Sequence, residues 1–178
     1  SGRGAVRLLR ALGRESRWVD EKVLPEDLAD ETRTGPWRGE WFEGVEGVVW
    51  SPGVPLTHPL AAEAQARGLE VISEIELAWR ASNVPVVAVT GSNGKTTTTS
   101  WIAAIFNEGG QRAIACGNIG HAYSEVVADE LTDAQAKTRC DVHVVEVSSF
   151  QLESIDSFNP DVAILMNITP DHLDRYGE

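Results

Sequence analysis

The sequence is poor in several residue types on which particular classes of protein depend. It has only two cysteines, Cys116 and Cys140, and they lack the CxxC spacing of a redox or zinc motif, so reduced thiols are favoured over a disulfide framework. No apolar run approaches the roughly 18 residues that a membrane span needs, and no charged-then-apolar leader opens the chain. We therefore expect a soluble, cytoplasmic protein that does not insert into membranes.

Positive charge is also scarce, above all in the second half of the chain. The formal net charge is −12, of which residues 1–83 carry −4 and residues 84–178 carry −8. No cluster of lysine and arginine offers a footprint for a phosphate backbone, so we expect no nucleic-acid partner. A polyanionic ligand bound to the second half would need backbone N–H groups or a metal ion to balance its charge.

Short apolar runs that alternate with helical stripes predict an α/β protein built on parallel sheets. The hydrophobic fraction of 42% is enough to bury a core. A boundary near residues 81–83 separates two such units, 1–83 and 84–178. The strands are expected at 17–20, 47–50, 69–72, 85–90, 112–116, 142–147 and 161–166. The helices are expected at 4–12, 59–67, 75–79, 95–107 and 122–131. The polar stretch 26–44 is interpreted as loop or weak helix.

A glycine-rich turn links the strand at 85–90 to the helix at 95–107. It matches G-x-x-G-K-T, although Val89 stands where the full phosphate-loop pattern has glycine. Backbone N–H groups and the helix dipole at such a turn attract phosphates, Lys95 adds a cation, and the Thr96 hydroxyl can ligate Mg²⁺. We therefore predict a nucleoside-triphosphate site rather than a structural turn. The residues predicted to bind the nucleotide are Gly91, Ser92, Asn93, Gly94, Lys95, Thr96 and Thr97.

A carboxylate, Glu146, stands near the carboxyl end of the strand at 142–147. Strand-end glutamates often face solvent, but the carboxyl ends of neighbouring parallel strands meet at one edge of a sheet, close to the phosphate loop. Mg²⁺ prefers hard oxygen ligands, so Glu146 is predicted to bind metal. Ser148, just after it, either orients a ligand or caps a turn.

The strand at 161–166 is followed by a third group of polar side chains. His172 lies there between Asp171 and Asp174, beyond the carboxyl end of the strand. This position predicts a site residue rather than an ordinary surface histidine. Histidine is an uncommon ligand of Mg²⁺, so the spacing leaves open whether His172 binds metal or substrate.

Four strings in the second half, taken in order, resemble the Mur ligases of peptidoglycan synthesis. They are TGSNGKTTT at 90–98, GNIG at 117–120, EVSSFQLE at 146–153 and NITPDHLDR at 167–175. In the first half, Ser51-Pro52-Gly53 followed by His58-Pro59-Leu60 is similar to the UDP-binding domain of the same family. The resemblance covers nearly the whole chain and is strongest over 84–176.

The resemblance implies a Rossmann-like UDP-binding domain at 1–83, followed by the first part of a P-loop-type parallel-sheet ATPase domain at 84–178. It also implies that the first strand of the family, the remainder of its central domain and its C-terminal domain lie outside this sequence. The chain by itself is therefore expected to lack ligase activity.

The implied activity is that of an ATP-dependent ligase that activates a carboxylate as an acyl phosphate and joins it to an amine. The sequence after Glu146 is similar to that of members adding D-glutamate to UDP-N-acetylmuramoyl-L-alanine, so these two compounds are the implied partners of a monomeric enzyme that uses ATP and Mg²⁺. The same resemblance implies that Lys95 contacts the phosphates and that Thr96 binds one Mg²⁺ ion. Glu146 and His172 would hold a second Mg²⁺ ion. The implied catalytic residues are Lys95, Glu146 and His172.

The resemblance further implies contacts with the nucleotide-sugar substrate. The residues concerned are Ser1, Asp20, Ser51, Gly53, Asn118 and Ser148. Two other functions remain open: a related ligase of the folylpolyglutamate type, and a non-catalytic ATP-binding module, which would need neither Glu146 nor His172.

Overall fold

The computed structural model describes residues 2–22, 29–135 and 137–176, and within them helices and strands alternate. Every strand pair in this part of the chain is parallel. The predicted α/β class with parallel sheets is confirmed. No helix in the described ranges has both the length and the apolar character that crossing a bilayer requires.

Residues 2–22 and 29–81 contain two small sheets and three α-helices. In chain order their elements are α1 (Gly2–Ala11), β1 (Arg17–Asp20), β2 (Glu31–Thr34), a 3₁₀ helix (Gly39–Phe42), β3 (Gly47–Trp50), α2 (Pro59–Ala66), β4 (Glu70–Ser73) and α3 (Glu74–Ala81). Strand β1 pairs with β2, and β3 pairs with β4.

The second half forms one four-stranded sheet with the order β6-β7-β5-β8. Its elements are β5 (Val86–Thr90), α4 (Lys95–Glu108), β6 (Ala113–Gly117), α5 (Tyr123–Thr132), β7 (Val142–Glu146), α6 (Ser149–Leu152), β8 (Val162–Leu165) and α7 (Leu173–Tyr176). Strand β5 therefore lies between β7 and β8, although β6 and β7 separate it from β8 in sequence.

The central strands β5 and β7 are covered on both faces, and their buried residues point alternately to the two sides. The edge strand β8 is more open, with Val162 49% and Leu165 61% exposed. Val87 and Val89 of β5 pack with Ala103 of α4 on one face. Val86 and Ala88 pack on the other face, in a core that also contains α5 residues and Leu8, Ile75 and Ala78 from α1 and α3. The main core thus joins residues from both halves of the chain.

The interpretation of 26–44 as loop or weak helix was wrong for one described stretch, since residues Glu31–Thr34 form β2, which pairs in register with β1. The short 3₁₀ helix at Gly39–Phe42 agrees with it. Strand β2 has no apolar alternation to reveal it, since its sequence is Glu-Thr-Arg-Thr. Backbone pairing with β1 and an ion pair from Arg17 to Glu31 hold it in place instead.

Helix α3 carries two buried glutamates that connect the halves. Ser73 caps its first turn by accepting a hydrogen bond from Glu76 N at 3.1 Å. The Glu74 carboxylate accepts from Ser124 N, at the start of α5, at 2.6 Å. Burial nevertheless raises the pKa of Glu74 above its ordinary value, because desolvation outweighs the hydrogen bonds from Ser124.

Glu76 is fully buried but is surrounded by donors. Its carboxylate accepts from Ser157 Oγ at 2.5 Å, from the backbone N–H groups of residues 156–158 at 2.8–3.2 Å, and from Arg80 Nε at 2.5 Å. Burial alone would raise the pKa of Glu76, but the hydrogen bonds from Ser157, Asp156, Arg80 and Phe158 outweigh it and lower the pKa to about 2. The ionised carboxylate therefore ties α3 to the segment before β8.

We expect Glu76→Gln to destabilise the protein at pH 7 by about 3 kcal/mol, because the ionised form of this carboxylate is favoured in the folded state over the unfolded state by roughly that amount. The folded-state pKa lies below the ordinary one, so the stabilisation is present above about pH 4.5 and is lost as the pH falls toward about 2. Urea unfolding at a series of pH values measures both effects.

Glu70→Gln is the matched control, since Glu70 also pairs with Arg80 but has a 52% exposed side chain. It should cost less than about 1 kcal/mol. If Glu76→Gln lost stability with acidification as steeply as the parent protein between pH 4.5 and 2, the role given to the Glu76 carboxylate would be wrong.

Candidate functional site

The predicted phosphate loop forms a tight turn between β5 and α4. Gly94 is in the left-handed conformation with φ 87° and stands immediately before Lys95, the first residue of α4. Gly91 has φ 130°, and a Cβ there would come within 2.9 Å of the Asn167 carbonyl oxygen. Only glycine fits this close approach without strain. The turn therefore leads directly into a helix N-terminus, the arrangement that binds phosphate groups.

The segment after β8 braces the loop. Ser92 N donates to the Asn167 carbonyl oxygen at 3.0 Å, and Asn93 N donates to Asn167 Oδ1 at 2.9 Å. The Ser92 hydroxyl exchanges hydrogen bonds with the backbone of Thr169, accepting at 2.9 Å and donating at 3.0 Å. These bonds couple the loop to the strand end that leads to His172.

Lys95 folds back over the loop. Its Nζ donates to the carbonyl oxygens of Gly91 at 2.6 Å and Ser92 at 3.1 Å. The ammonium group thus lies beside the backbone that the sequence predicts to hold phosphates. The exposed Thr97 follows on the first turn of α4.

Glu146, at the carboxyl end of β7, makes the central contacts of the site. Its side chain is only 2% exposed. One carboxylate oxygen accepts from the Thr96 hydroxyl at 2.8 Å, and the other accepts from Asn118 Nδ2 at 2.9 Å. Strand pairing places it there, because Glu146 is in register with Val89 of β5 and Gly117 of β6. Two of the predicted metal ligands, Thr96 and Glu146, therefore lie together and present hard oxygens of the kind that suits Mg²⁺.

A cavity of about 570 Å³, widely open to solvent, lies beside Asn118. Both halves of the chain contribute to its walls. The lining residues are Pro52, Gly53, Pro55, Thr57, Asn118, Ser148, Phe150, His172 and Arg175. It brings together four residues that the sequence predicts for the site, namely Gly53, Asn118, Ser148 and His172.

Ser148 caps α6. Its hydroxyl accepts from Gln151 N at 3.3 Å, and its N–H donates to Gln151 Oε1 at 2.9 Å. Of the two alternatives for this residue, the structure contains the cap, and the side chain still borders the cavity. Its contact with substrate remains a prediction.

His172 lies on the cavity wall in an unusual backbone conformation. Its φ of 51° is the one positive value among non-glycine residues in the described ranges. The ring lies 4.6 Å from the ring of Phe150, and Nε2 lies 3.8 Å from Asp171 Oδ2. The strain of this conformation is typical of functional positions. The role of His172 as a metal ligand stays a prediction.

Arg175 is a cavity residue that sequence reasoning did not select. Its guanidinium donates to the Pro52 carbonyl oxygen at 2.8 Å and to the Glu153 carboxylate, and it lies 4.4 Å from the centre of the Phe150 ring. It is the one permanently cationic side chain among the residues lining the cavity. The sequence signal that could have identified Arg175 as a site residue was its position at the end of the NITPDHLDR string.

Two further predicted substrate residues of the described ranges, Asp20 and Ser51, are not among those lining this cavity. Asp20 ends β1, where its Oδ1 accepts from Lys22 N at 2.9 Å. Ser51 is exposed and directly precedes Pro52 and Gly53 of the cavity wall. Ser1 lies outside the described residues.

Family models match both halves of the chain. One described as "Mur ligase middle domain" matches residues 89–178, which is half of the chain. Another, described as "Mur ligase MurD-like, N-terminal domain", matches residues 1–73. The matched ranges contain the phosphate loop, Glu146 and the cavity residues of the first half.

Similar proteins in several bacteria carry the name UDP-N-acetylmuramoylalanine–D-glutamate ligase. The one from Thermoanaerobacter sp. (strain X514) is 39% identical over 185 residues, covering 99% of this chain and 39% of its own. One from Thermus thermophilus is 41% identical over 179 residues, covering 99% of this chain and 40% of its own. The chain thus spans about two fifths of the length of these curated relatives.

A solved structure has the same fold. It is UDP-N-acetylmuramate:L-alanyl-gamma-D-glutamyl-meso-diaminopimelate ligase from Neisseria meningitides, with 20% identity, a TM-score of 0.56, and coverage of 99% of this chain and 60% of that one. At this identity the similarity concerns the fold alone. With the family model over residues 89–178 and the phosphate loop, Glu146 and cavity in place, the chain belongs to the Mur ligase family.

Proposed function

We propose that this chain is the nucleotide-binding and substrate-binding part of an ATP-dependent amide ligase that adds D-glutamate to UDP-N-acetylmuramoyl-L-alanine through an acyl phosphate. One observation carries the proposal. The buried Glu146 carboxylate joins the Thr96 hydroxyl of the phosphate loop to Asn118 on the cavity wall. A phosphate on the loop and a carboxylate in the cavity would therefore meet beside one acidic group.

In this function the loop residues bind and orient the triphosphate. Free N–H groups at the start of α4 and the Lys95 ammonium face the phosphates, and Lys95 exchanges its bonds to the Gly91 and Ser92 carbonyls for bonds to phosphate oxygens. Gly91 and Gly94 permit the close approach of the backbone. Positioning of this kind is the main protein contribution to phosphoryl transfer.

Thr96 is proposed to hold one Mg²⁺, and Glu146 and His172 a second. The hydroxyl and carboxylate oxygens 2.8 Å apart fit the hard-ligand preference of this ion. Bound there, Mg²⁺ would neutralise charge on the transferring phosphoryl group, which the cation-poor second half of the chain cannot do by itself. His172 would reach the second ion from the cavity side.

The cavity is proposed to bind the nucleotide-sugar substrate across both halves of the chain. Asn118 and Ser148 would contact the muramoyl part, while Ser51 and Gly53 would lie near the uracil. Arg175 offers a guanidinium fork that suits the substrate carboxylate or a phosphate. Asp20 and Ser1 are assigned to the uridine nucleotide by family resemblance alone. The two-domain division at 1–83 and 84–178 follows from the same assignment.

The choice of D-glutamate is supported by the names of the relatives at about 40% identity and by the sequence that follows Glu146. A cytoplasmic location fits this activity because ATP and nucleotide sugars are cytoplasmic compounds, while the monomeric state is assigned by family resemblance alone. The reaction needs groups beyond those assigned here, so the isolated chain of 178 residues should bind ATP without turning it over.

ADP release by the full-length product of the gene that encodes this chain tests the function directly. We expect release with UDP-N-acetylmuramoyl-L-alanine plus D-glutamate, and none with L-lysine or meso-diaminopimelate as the acceptor. Release with a different acceptor would replace the proposal by another ligase of the superfamily. ATP binding without release under any condition would support a non-catalytic nucleotide module.

Lys95→Ala should weaken ATP binding by the chain at least about tenfold, because it removes a charge-assisted bond to phosphate worth roughly 1.5–3 kcal/mol. Isothermal titration calorimetry measures the change. Lys137→Ala is the control, since Lys137 is exposed and outside the loop, and should bind ATP as the parent chain does. Equal ATP affinities for the parent chain, Lys95→Ala and Lys137→Ala would contradict the proposed role of the loop in binding phosphate.

Glu146→Gln should abolish most of the Mg²⁺ dependence of ATP binding while leaving metal-free binding nearly unchanged. The amide keeps the shape of the side chain but loses the charge that attracts the ion. We therefore expect the factor by which Mg²⁺ raises the ATP affinity to be at least about tenfold smaller than in the parent chain. The readout is the ATP affinity at a series of Mg²⁺ concentrations. Glu108→Gln, at the exposed far end of α4, is the control. A Mg²⁺ response identical in Glu146→Gln and the parent chain would favour the non-catalytic module.

A further inference from the structure

A second cluster of metal-ligating side chains lies at the opposite end of β7 from Glu146. It consists of Glu130 in the last turn of α5, Cys140 in the connection between α5 and β7, and His143 near the start of β7. Each side chain offers one ligand atom, and these atoms all lie within 4.8 Å of one another. We call this group the Glu130 cluster. None of its members takes part in the site described above.

The distances within the Glu130 cluster are close to those around a shared metal ion. His143 Nε2 lies 3.0 Å from Glu130 Oε1, and the same oxygen accepts from the backbone N–H of Cys140 at 2.8 Å. Ligand atoms of a tetrahedral zinc ion, with bonds of about 2.0–2.3 Å, are separated by roughly 3.2–3.7 Å. The Glu130 and His143 ligand atoms would have to separate by only a few tenths of an ångström, and Cys140 Sγ already lies within 4.8 Å of both.

The fold holds the cluster in place before any ion binds. The His143 ring is fully buried and makes an edge contact with the Tyr123 ring, with the ring centres 5.4 Å apart. Its Nδ1 is buried and makes no hydrogen bond, so Nε2 is the nitrogen that the fold directs toward Glu130. The Glu130 side chain is 10% exposed, whereas Cys140 is half-buried and leaves a path from solvent.

Cys140 Sγ donates a weak hydrogen bond to the Thr138 carbonyl oxygen at 3.5 Å, which a metal–sulfur bond would replace. Metal binding through this sulfur would release the thiol proton.

We propose that Glu130, Cys140 and His143 form a zinc-binding site with three protein ligands and a fourth position open to water. One sulfur, one imidazole nitrogen and one carboxylate oxygen match the ligand preferences of Zn²⁺, whereas Mg²⁺ takes oxygen ligands. The ion would join the end of α5 to the start of β7 and stabilise the folded chain by binding to it. Since Nδ1 of His143 lacks a hydrogen-bond partner to orient the ring further, the Zn²⁺ affinity should be about 10–100-fold weaker than that of a site with such a partner.

Cobalt substitution tests the proposal on the full chain, without an affinity tag, stripped of metal and reduced with a thiol-free reductant. Co²⁺ in a tetrahedral site with a thiolate ligand gives intense visible bands and a thiolate charge-transfer band in the near ultraviolet. We expect both to appear with one equivalent of Co²⁺ bound, to disappear on addition of Zn²⁺, and to resist an excess of Mg²⁺. Zn²⁺ should also raise the melting temperature of the chain.

Cys140→Ser should lose the charge-transfer band, and Glu130→Gln should bind Co²⁺ at least tenfold more weakly. Cys116→Ala is the matched control because Cys116 is the other thiol of the chain and lies outside the cluster; its bands should equal those of the parent. Circular dichroism checks that each variant folds. If Cys140→Ser does not fold, the Co²⁺ affinity of Glu130→Gln decides the result. Absence of the bands from the parent chain, or their persistence in a folded Cys140→Ser, would overturn the proposal and leave a hydrogen-bonded Glu–His pair.

Discussion

The parallel pairing of β5 between β7 and β8 is the constraint on which the whole site depends. It aligns Val89 with Glu146 on one side and Thr90 with Leu165 on the other. Because parallel strands end at the same edge of a sheet, three segments that are far apart in the sequence meet there. A shift of one residue in this register would turn the Glu146 side chain to the opposite face and away from Thr96.

The buried position of Glu146 has an energetic consequence as well as a geometric one. A carboxylate removed from water is costly unless donors or a cation satisfy it. Here the Thr96 hydroxyl and the Asn118 amide each donate to one of its oxygens. Both donors are neutral groups, and the second half of the chain has few basic residues. A divalent cation would relieve that cost, which is why the arrangement fits the proposed use of Mg²⁺.

The cavity also depends on the contact between the two halves of the chain. Gly53 and Asn118 belong to different halves, and their distance is set by the packing of α1 and α3 against α5. Leu8, Ile75 and Val126 share one core at that interface. Buried polar groups add specificity to this apolar contact, since a carboxylate such as Glu76 must find its particular donors. The proposed zinc site lies at the other end of β7, so the same strand would carry a structural ion and a catalytic one.

Strong local signals explain why much of the second half could be predicted. The central strands are continuous apolar runs, as expected for strands covered on both faces, and the observed bounds of β5, α4, β6 and α5 lie within one residue of those expected. Strand β2 escaped prediction because its four residues are polar and are held by pairing with β1. Arg175 was missed because nothing in its local sequence says that Phe150 and Pro52 lie beside it.

The sequence by itself determined the phosphate loop, the alternation of strands and helices, and the polar residues that follow each strand, because these features depend on neighbours a few positions away. Only the tertiary structure decided the strand order β6-β7-β5-β8, the two hydrogen bonds to Glu146 and the cavity shared by both halves. It alone also brought Glu130, Cys140 and His143 together. Such contacts join residues far apart along the chain, and they form only when the packing of the whole sheet and its helices fixes which segments become neighbours.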